Sequence, residues 1–389
     1  HTFEVMPQSI TIAINGRWLL AGKLEGTGWY SHSIIKLLVE FHPEVNWHIL
    51  YDRTPKPPHI YPGVKCHVLR PAARHPWLWG FWNEWLVPKK LMKIKASVYW
   101  SPDGLLPSRK SLKGNKIKLI TTIHDLNFIH RPNDIPVKVG DYYRKVCQRS
   151  AKESDRILAV SETTKNDIIS TYSKKKKDID VTYNAPQKDF TSLSEKQKKA
   201  AQKKFANGNP YFCFLGAFTR RKNLKTLVEA FNKWSLLNPK SKHKLVIAGR
   251  SLHDDEELNN ALKNGKKRIL LPGFISRDHL NDFFGGATAF VFPSHFEGFG
   301  IPIIEAMASN CLVLSSNSSC MPEIANGAAH YSRPEDIEDW ISALNFAIQN
   351  EEDVKLLKKK GLERAKYFKW EHSADQVWAS FEKILSNER

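Results

Sequence analysis

Two carboxylates with seven residues between them stand in the run Pro293-Ser294-His295-Phe296-Glu297-Gly298-Phe299-Gly300-Ile301-Pro302-Ile303-Ile304-Glu305-Ala306-Met307. Pro302 suits the first turn of a helix, where its missing N–H costs nothing, so a helix is expected to begin near it. That puts Glu297 in the preceding loop and Glu305 in the first helical turn. Gly298 and Gly300 let the backbone come close to a ligand, and the N–H groups of a helix start favour an anion such as a phosphate. Carboxylates beside a phosphate would be repelled, so their expected partners are neutral hydroxyls. A sugar nucleotide offers both kinds of group. The plainer alternative makes Glu297 and Glu305 helix-start carboxylates favoured only by the helix dipole.

A second stretch, Phe214-Leu215-Gly216-Ala217-Phe218-Thr219-Arg220-Arg221-Lys222-Asn223-Leu224, reads as a strand, a Gly216 turn and a basic pair opening a helix. Lys222 supplies a point charge and Arg221 a fork for a diphosphate. A merely solvated basic helix start is disfavoured, because cations are unfavourable at that end of the dipole. In the first half, Thr121-Thr122-Ile123-His124-Asp125-Leu126 ends a buried strand with a titratable pair. His124 is either a ligand-facing imidazole or a satisfied structural residue. Asn15-Gly16-Arg17 and Gly26-Thr27-Gly28 follow the first strand, but the third glycine of a dinucleotide fingerprint is lacking, and a flexible connection explains them equally well.

These residues need elements to position them. Short apolar runs alternate with helical periodicity: Ile10–Ile14, Trp47–Tyr51, Val64–Leu69, Ser97–Trp100, Lys118–Ile123, Arg156–Val160 and Ile179–Tyr183, then Tyr211–Leu215, Lys244–Ala248, Arg268–Leu271, Thr288–Phe292, Cys311–Leu314 and Ala328–Tyr331. The fold class expected is α/β, with two Rossmann-like doubly wound domains facing a cleft. The domains expected are residues 1–186, a polar linker 187–209 holding one short helix, 210–367, and a terminal helix 368–389. The 389 residues, 41% apolar, suit two domains of similar size.

The net charge of +19 points to an anionic partner: nucleic acid, a phospholipid surface or a phosphorylated metabolite. Up to residue 186 there are 29 basic against 16 acidic residues (+13), and beyond it 30 against 24 (+6). Five scattered cysteines without CxxC spacing argue against a disulfide framework or zinc site and for a reducing, cytoplasmic setting. No run is long and apolar enough to span a bilayer, and no export signal is seen. Residues His1–Val5, ahead of Met6, are expected to lie outside the fold.

Taken together, the motifs resemble those of the retaining family 4 glycosyltransferases, a mannosyltransferase-rich group with the two-domain GT-B fold. The resemblance rests on Glu297 and Glu305 around Gly-Phe-Gly-Ile-Pro, on Gly216 with Arg221-Lys222-Asn223-Leu224, on His124-Asp125 and on Ser315-Ser316-Asn317 with Pro322-Glu323. Ala159-Val160-Ser161-Glu162, with Ser161 as an N-cap, and the hinge Tyr183-Asn184-Ala185-Pro186 agree in order. It implies catalytic roles for His124, Glu297, Lys222 and Arg221. Donor contacts are implied at Gly26, Gly28, Gly216, Gly298, Phe299, Gly300, Ile301 and Glu305, and an orienting or acceptor role for Asp125. Where many relatives carry Arg directly after the glycine, this chain has Ala217. That removes one phosphate contact, for which Arg221 compensates.

The resemblance also implies a nucleotide-sugar cosubstrate, GDP-mannose ahead of UDP sugars, a glycan or lipid-linked saccharide acceptor, no further cofactor and no metal. The one D-x-D, Asp178-Ile179-Asp180, follows four lysines and reads as charge-balanced surface. Two other classes compete: a nucleic-acid-binding protein and a dead binding module. The first lacks a zinc-finger, helix-turn-helix or RNP signature, so no nucleic-acid partner is expected, and the intact motifs argue against the second. The segment 74–95, with Trp77, Trp79, Phe81, Trp82 and Trp85 before a lysine-rich flank, either docks on an anionic membrane at its inner face or packs Trp82, Trp85 and Leu86 into a core.

Overall fold

The structure is a computed structural model that describes residues 10–386 apart from 23, 25, 74, 188 and 252–254. Residues His1–Val5, Arg74 of the aromatic segment and the last three residues of the expected terminal helix therefore lie outside the described residues. The chain divides into two compact units, His1–Asn184 with Trp370–Arg389, and Ala185–Lys369.

The first unit holds a parallel sheet of seven strands: β1 (Thr11–Asn15), β2 (Asn46–Tyr51), β3 (Lys65–Val68), β4 (Val98–Ser101), β5 (Lys118–Ile123), β6 (Arg156–Ala159) and β7 (Ile179–Val181). Their order is β3-β2-β1-β4-β5-β6-β7. Apolar side chains on both faces explain why the central strands are buried. Ala13, Leu50, Tyr99 and Leu119 pack with Trp82, Val87 and Leu91, while Trp100 packs against Tyr30 and Phe381. The last two belong to the helices Gly26–Phe41 and Trp370–Ser386, which lie together. β3, expected as a buried run, is an edge strand with Lys65, Cys66 and Val68 exposed.

The second unit holds six parallel strands: β8 (Tyr211–Leu215), β9 (Lys244–Ala248), β10 (Ile269–Gly273), β11 (Ala289–Phe292), β12 (Leu312–Ser316) and β13 (His330–Ser332), ordered β10-β9-β8-β11-β12-β13. Phe212, Phe214, Leu245, Ile247, Val291 and Leu314 form its core with the helices Leu224–Leu237 and Ile337–Gln349. Each of the thirteen apolar runs has become a strand. Each sheet has one place where its order reverses: between β1 and β4, and between β8 and β11.

The expected linker 187–209 is not a separate element. Its helix Glu195–Ala206 is capped by Ser194 and Gln197 in a capping box, and it buries Ala201 and Ala206, while Leu193 packs beside Gly285. This apolar face, hidden among lysines, makes the segment part of the second unit. Nor are Gly26 and Gly28 a loop: they open the helix Gly26–Phe41. A Cβ on Gly28 would lie 2.8 Å from Leu24 Cδ2 and 2.9 Å from the Trp18 carbonyl oxygen. The packing of its own chain is enough to require glycine here.

Candidate functional site

In open parallel sheets, ligands sit beyond the carboxyl ends of the strands where the order reverses. In the second unit that is the space after β8 and β11, and the predicted residues are there. After β8 the chain makes a 3-10 turn, Arg220–Lys222, and Asn223 takes a left-handed conformation (φ 54°) before the helix at Leu224. The Asn223 amide donates to the carbonyls of Pro293 (3.1 Å) and Pro334 (2.6 Å), fixing this turn against the loop that follows β11. The loop after β12 holds the same segment from the other side: Ser318 Oγ donates to His295 O (2.8 Å) and Ser319 Oγ to Glu297 O (2.7 Å).

The basic pair is neither solvated nor free. Arg221 Nη1 lies 2.5 Å from Glu297 Oε2, and Lys222 Nζ lies 2.7 Å from Glu297 Oε1. Lys222 also stands 4.8 Å over the Phe292 ring, and its stem runs beside Gly216. Burial by itself would raise the Glu297 carboxyl, but the charges of Arg221 and Lys222 win and hold it at about 2. Burial in turn lowers the Lys222 ammonium, which Glu297 partly offsets. The three groups form one unit of net charge +1. A phosphate meeting it encounters a carboxylate already neutralised, which removes the repulsion expected from the sequence.

Gly300, at φ +85°, precedes the helix Ile301–Ala308. Glu305 is the fifth residue of that helix, one turn deeper than expected, and it is buried. Arg277 Nη2, from the loop after β10, reaches Glu305 Oε1 at 3.4 Å. Burial pushes the Glu305 carboxyl up to about 7, against the opposing Arg277 charge. Phe299, 4% exposed, packs edge-on to Phe368 with centroids 5.4 Å apart, so its ring lies in the interior.

In the first unit, His124 follows β5 directly. Its Nε2 donates to the Pro102 carbonyl at 2.8 Å, which leaves Nδ1 as the acceptor. Burial lowers its pKa, so the ring is neutral at pH 7. Tyr30 stands edge-on to it at 5.2 Å and is held by Thr182 (2.6 Å). Pro102, not Asp125, orients the imidazole by a hydrogen bond; Asp125 Oδ1 instead accepts from the backbone N–H of Asn127 (3.1 Å). Asp180 pairs with Arg156, Ser380 and Lys383, so its carboxylate is bound up in the packing of the C-terminal helix. Ser161 caps its helix as expected, accepting from Thr164 N. Three charged residues are assigned no role by the sequence motifs: Arg17, Asp103 and Arg277. The signal they share is a charged side chain within four residues of a strand's carboxyl end.

The chain matches two family models, "Glycosyltransferase Family 4" over residues 25–186 and "Glycosyl transferases group 1" over residues 195–364. The chain belongs to the family 4 glycosyltransferases and has their GT-B type of α/β fold. It is 26% identical to the O-antigen chain mannosyltransferase B of Escherichia coli over 290 residues, 74% of each chain. To the O-antigen chain mannosyltransferase RfbU of Salmonella typhimurium it is 29% identical over 293 residues, 73% of this chain and 74% of that one. Among solved structures, the sucrose-phosphate synthase of Thermosynechococcus elongatus superposes with TM-score 0.79 at 16% identity, over 97% of this chain and 100% of that one. Anabaena HepE in complex with UDP and glucose gives 0.73 at 14% identity over 96% and 99%. These two carry the fold alone.

Proposed function

We propose that the protein transfers a hexose, mannose from GDP-mannose, with retention, to a saccharide or lipid-linked saccharide acceptor in bacterial surface-polysaccharide assembly. The observation that carries this is the Arg221–Glu297–Lys222 cluster where the second sheet reverses, with buried Glu305 nearby. Transfer from a nucleoside diphosphate requires stabilising charge that grows on the diphosphate, a task for fixed cations in a buried setting. Arg221 and Lys222 meet it, and Glu305 suits the hydroxyls of the nucleotide sugar. A carboxylate held at about 2 between two cations is a poor base. That favours a mechanism in which the leaving phosphate itself takes the acceptor's proton. Neutral His124, with Nδ1 open to accept, suits a sugar hydroxyl. The two O-antigen mannosyltransferases support mannose, and a UDP sugar is the alternative donor.

A thermal-shift panel of GDP, UDP and ADP with their sugars tests this. GDP and GDP-mannose are expected to stabilise most, by about 2.7 kcal/mol at a hundredfold excess over Kd. Stabilisation by none of them would overturn the proposal.

A second proposal concerns location. In the helical segment Pro76–Lys93, Trp77 and Trp85 are 68% and 69% exposed and Phe81 39%, with Lys89 and Lys93 exposed beyond them. Trp82 is the core residue, and Trp79 is tied by its Nε1 to Ala73 O (2.8 Å). The expected split is thus redrawn: Trp85 is outside and Trp79 is engaged. An aromatic stripe with lysines at one end suits the headgroup layer of an anionic leaflet, and we propose peripheral docking there, at the cytoplasmic face. Among the described residues no helix is long and apolar enough to cross a membrane.

A further inference from the structure

The net charge of +19 points to an anionic partner, and Arg221 and Lys222 answer only part of it. One basic run has no role so far: Lys358-Lys359-Lys360, in the helix Glu351–Tyr367. Gly361 and Ala365 are the buried residues of that helix, and they let it lie close on the helix Ile301–Ala308. A Cβ on Gly361 would stand 3.1 Å from Met307 Cγ. A neighbouring stripe, Leu356, Lys359, Lys360, Glu363, Arg364 and Tyr367, follows the three- and four-residue spacing of one helix face. It lines an open cavity of about 510 Å³, whose other wall is the turn at Asn326 and Gly327. Those two residues, at φ 44° and 75°, lead from the helix Met321–Ala325 into β13. The cavity therefore lies toward the amino end of that strand, whereas Arg221, Lys222 and Glu297 follow carboxyl ends. It is a separate place from the diphosphate cluster.

Arg364 builds the wall. Its Nε and Nη2 donate to Ile324 O and Glu323 O, both at 2.9 Å, and its guanidinium carbon lies 4.7 Å from the Tyr367 ring and 4.6 Å from that of Phe368. Two carbonyls and two rings fix the shape of the cavity before any ligand arrives. The helix's other lysines are divided by their partners. Lys355 pairs with Glu351 (2.9 Å) and Glu352 (3.2 Å), and Lys366 with Glu363 (2.7 Å). Lys359 and Lys360 are exposed at the cavity and make no ion pair among the described residues. Glu363, the carboxylate that lines the cavity, is already held by Lys366.

We propose that this cavity is a second anion-binding site, which takes the phosphoryl group of a phosphate ester. The inference goes beyond the transferase function and does not rest on it. Charge selects the class: Lys359, Lys360 and Arg364 against Glu363 leave a net charge of +2 on the lining, which favours an anion over a neutral saccharide. Two adjacent unpaired ammonium groups are point charges of the kind that bind phosphate. Leu356 and Tyr367, 50% and 57% exposed, offer apolar surface to the organic part of the ester. The volume falls within the range of small-molecule sites. A phosphoryl group with an organic body comes either from a soluble phosphomonoester or from a lipid headgroup, and the two are separated by experiment.

The test is calorimetric titration of the full chain with sn-glycerol 3-phosphate and with short-chain, soluble dihexanoyl phosphatidic acid, in about 150 mM salt. Each is titrated into wild type and into Lys222→Met, which disables the diphosphate cluster. Saturable binding with a Kd near or below about 1 mM is expected in both proteins. Lys359→Gln with Lys360→Gln should weaken it by about tenfold or more, with the melting temperature unchanged. Equal affinity for the two probes assigns the site to soluble phosphate esters; a preference for the lipid of about tenfold or more assigns it to a headgroup. Binding of neither probe, or binding unchanged in the double lysine variant, would overturn the proposal. So would binding lost in Lys222→Met, which would put the phosphate at the diphosphate cluster, and binding seen only at low salt, which is charge attraction without a site.

Discussion

Lys222 and Glu297, from the loops after β8 and β11, meet at 2.7 Å, and Arg221 closes on the other carboxylate oxygen at 2.5 Å. Glu297→Gln should leave both cations without a carboxylate partner, so nucleoside diphosphate binding should hold or tighten while kcat falls by about a hundredfold or more. Lys222→Met should instead weaken diphosphate binding by about 2 kcal/mol, roughly thirtyfold. Calorimetric titration with steady-state kinetics separates the two, and an enzyme that kept its turnover in Glu297→Gln would argue against a role for Glu297 in transfer.

Glu305 predicts two pH effects of opposite sign. Its folded pKa, about 7, lies above the ordinary value of 4.5. Its contribution to stability is therefore full below about 4.5 and is lost as pH rises through 7, so the ligand-free protein should melt earlier at pH 8 than at pH 6. Hydroxyls donate to the ionised form, so nucleotide Kd should be about tenfold weaker at pH 6 than at pH 8. Glu305→Gln should flatten both differences. Identical pH profiles in wild type and variant would remove Glu305 from the nucleotide site.

Positive charge for the departing diphosphate is proposed to come from Arg221 and Lys222. Activity should then survive EDTA. Abolition by the chelator with recovery on adding Mn²⁺ would show that a metal shares this task.

The exposed stripe Trp77, Phe81 and Trp85 should bind vesicles rich in phosphatidylglycerol and release them at high salt. Trp77→Ala with Trp85→Ala should cut co-sedimentation about tenfold or more, and Trp79→Ala should not act through the membrane at all. Equal binding by the double variant would retire the docking surface.

Gly28→Ala forces a methyl against the Trp18 carbonyl, which cannot move without disturbing the chain after β1. It should cost about 1–3 kcal/mol of stability, read as a lower melting temperature, with nucleotide Kd unchanged. A changed Kd at constant stability would restore this glycine to the donor site.

Local pattern was enough for much of this protein. Alternation of short β-branched runs with helical periodicity located all thirteen strands, because a strand buried on both faces writes its apolar character directly into consecutive residues. Ser161 and Pro302 marked helix starts for equally local reasons, a side chain that caps and a ring that suits the first turn. Lys222, Glu297 and His124 were readable as candidates for the same cause: each lies soon after a strand, and strand ends are visible.

Pairing was not readable. That Glu297 is shared between Arg221 and Lys222, that Arg277 lies against Glu305, and that Pro102 rather than Asp125 orients His124 depend on which strands lie side by side, and sheet order is not a local property. The helix Glu195–Ala206 passed for linker because its apolar face is two alanines among lysines, and only packing reveals their burial. Arg17 and Asp103 are the clearest case. Nothing in the sequence pairs them, and they become an ion pair only because β1 and β4 are neighbours where the sheet reverses. The sequence by itself determined the elements and the chemical types available at their ends. Tertiary structure decided which charges meet, and with that which are neutralised and which stay buried.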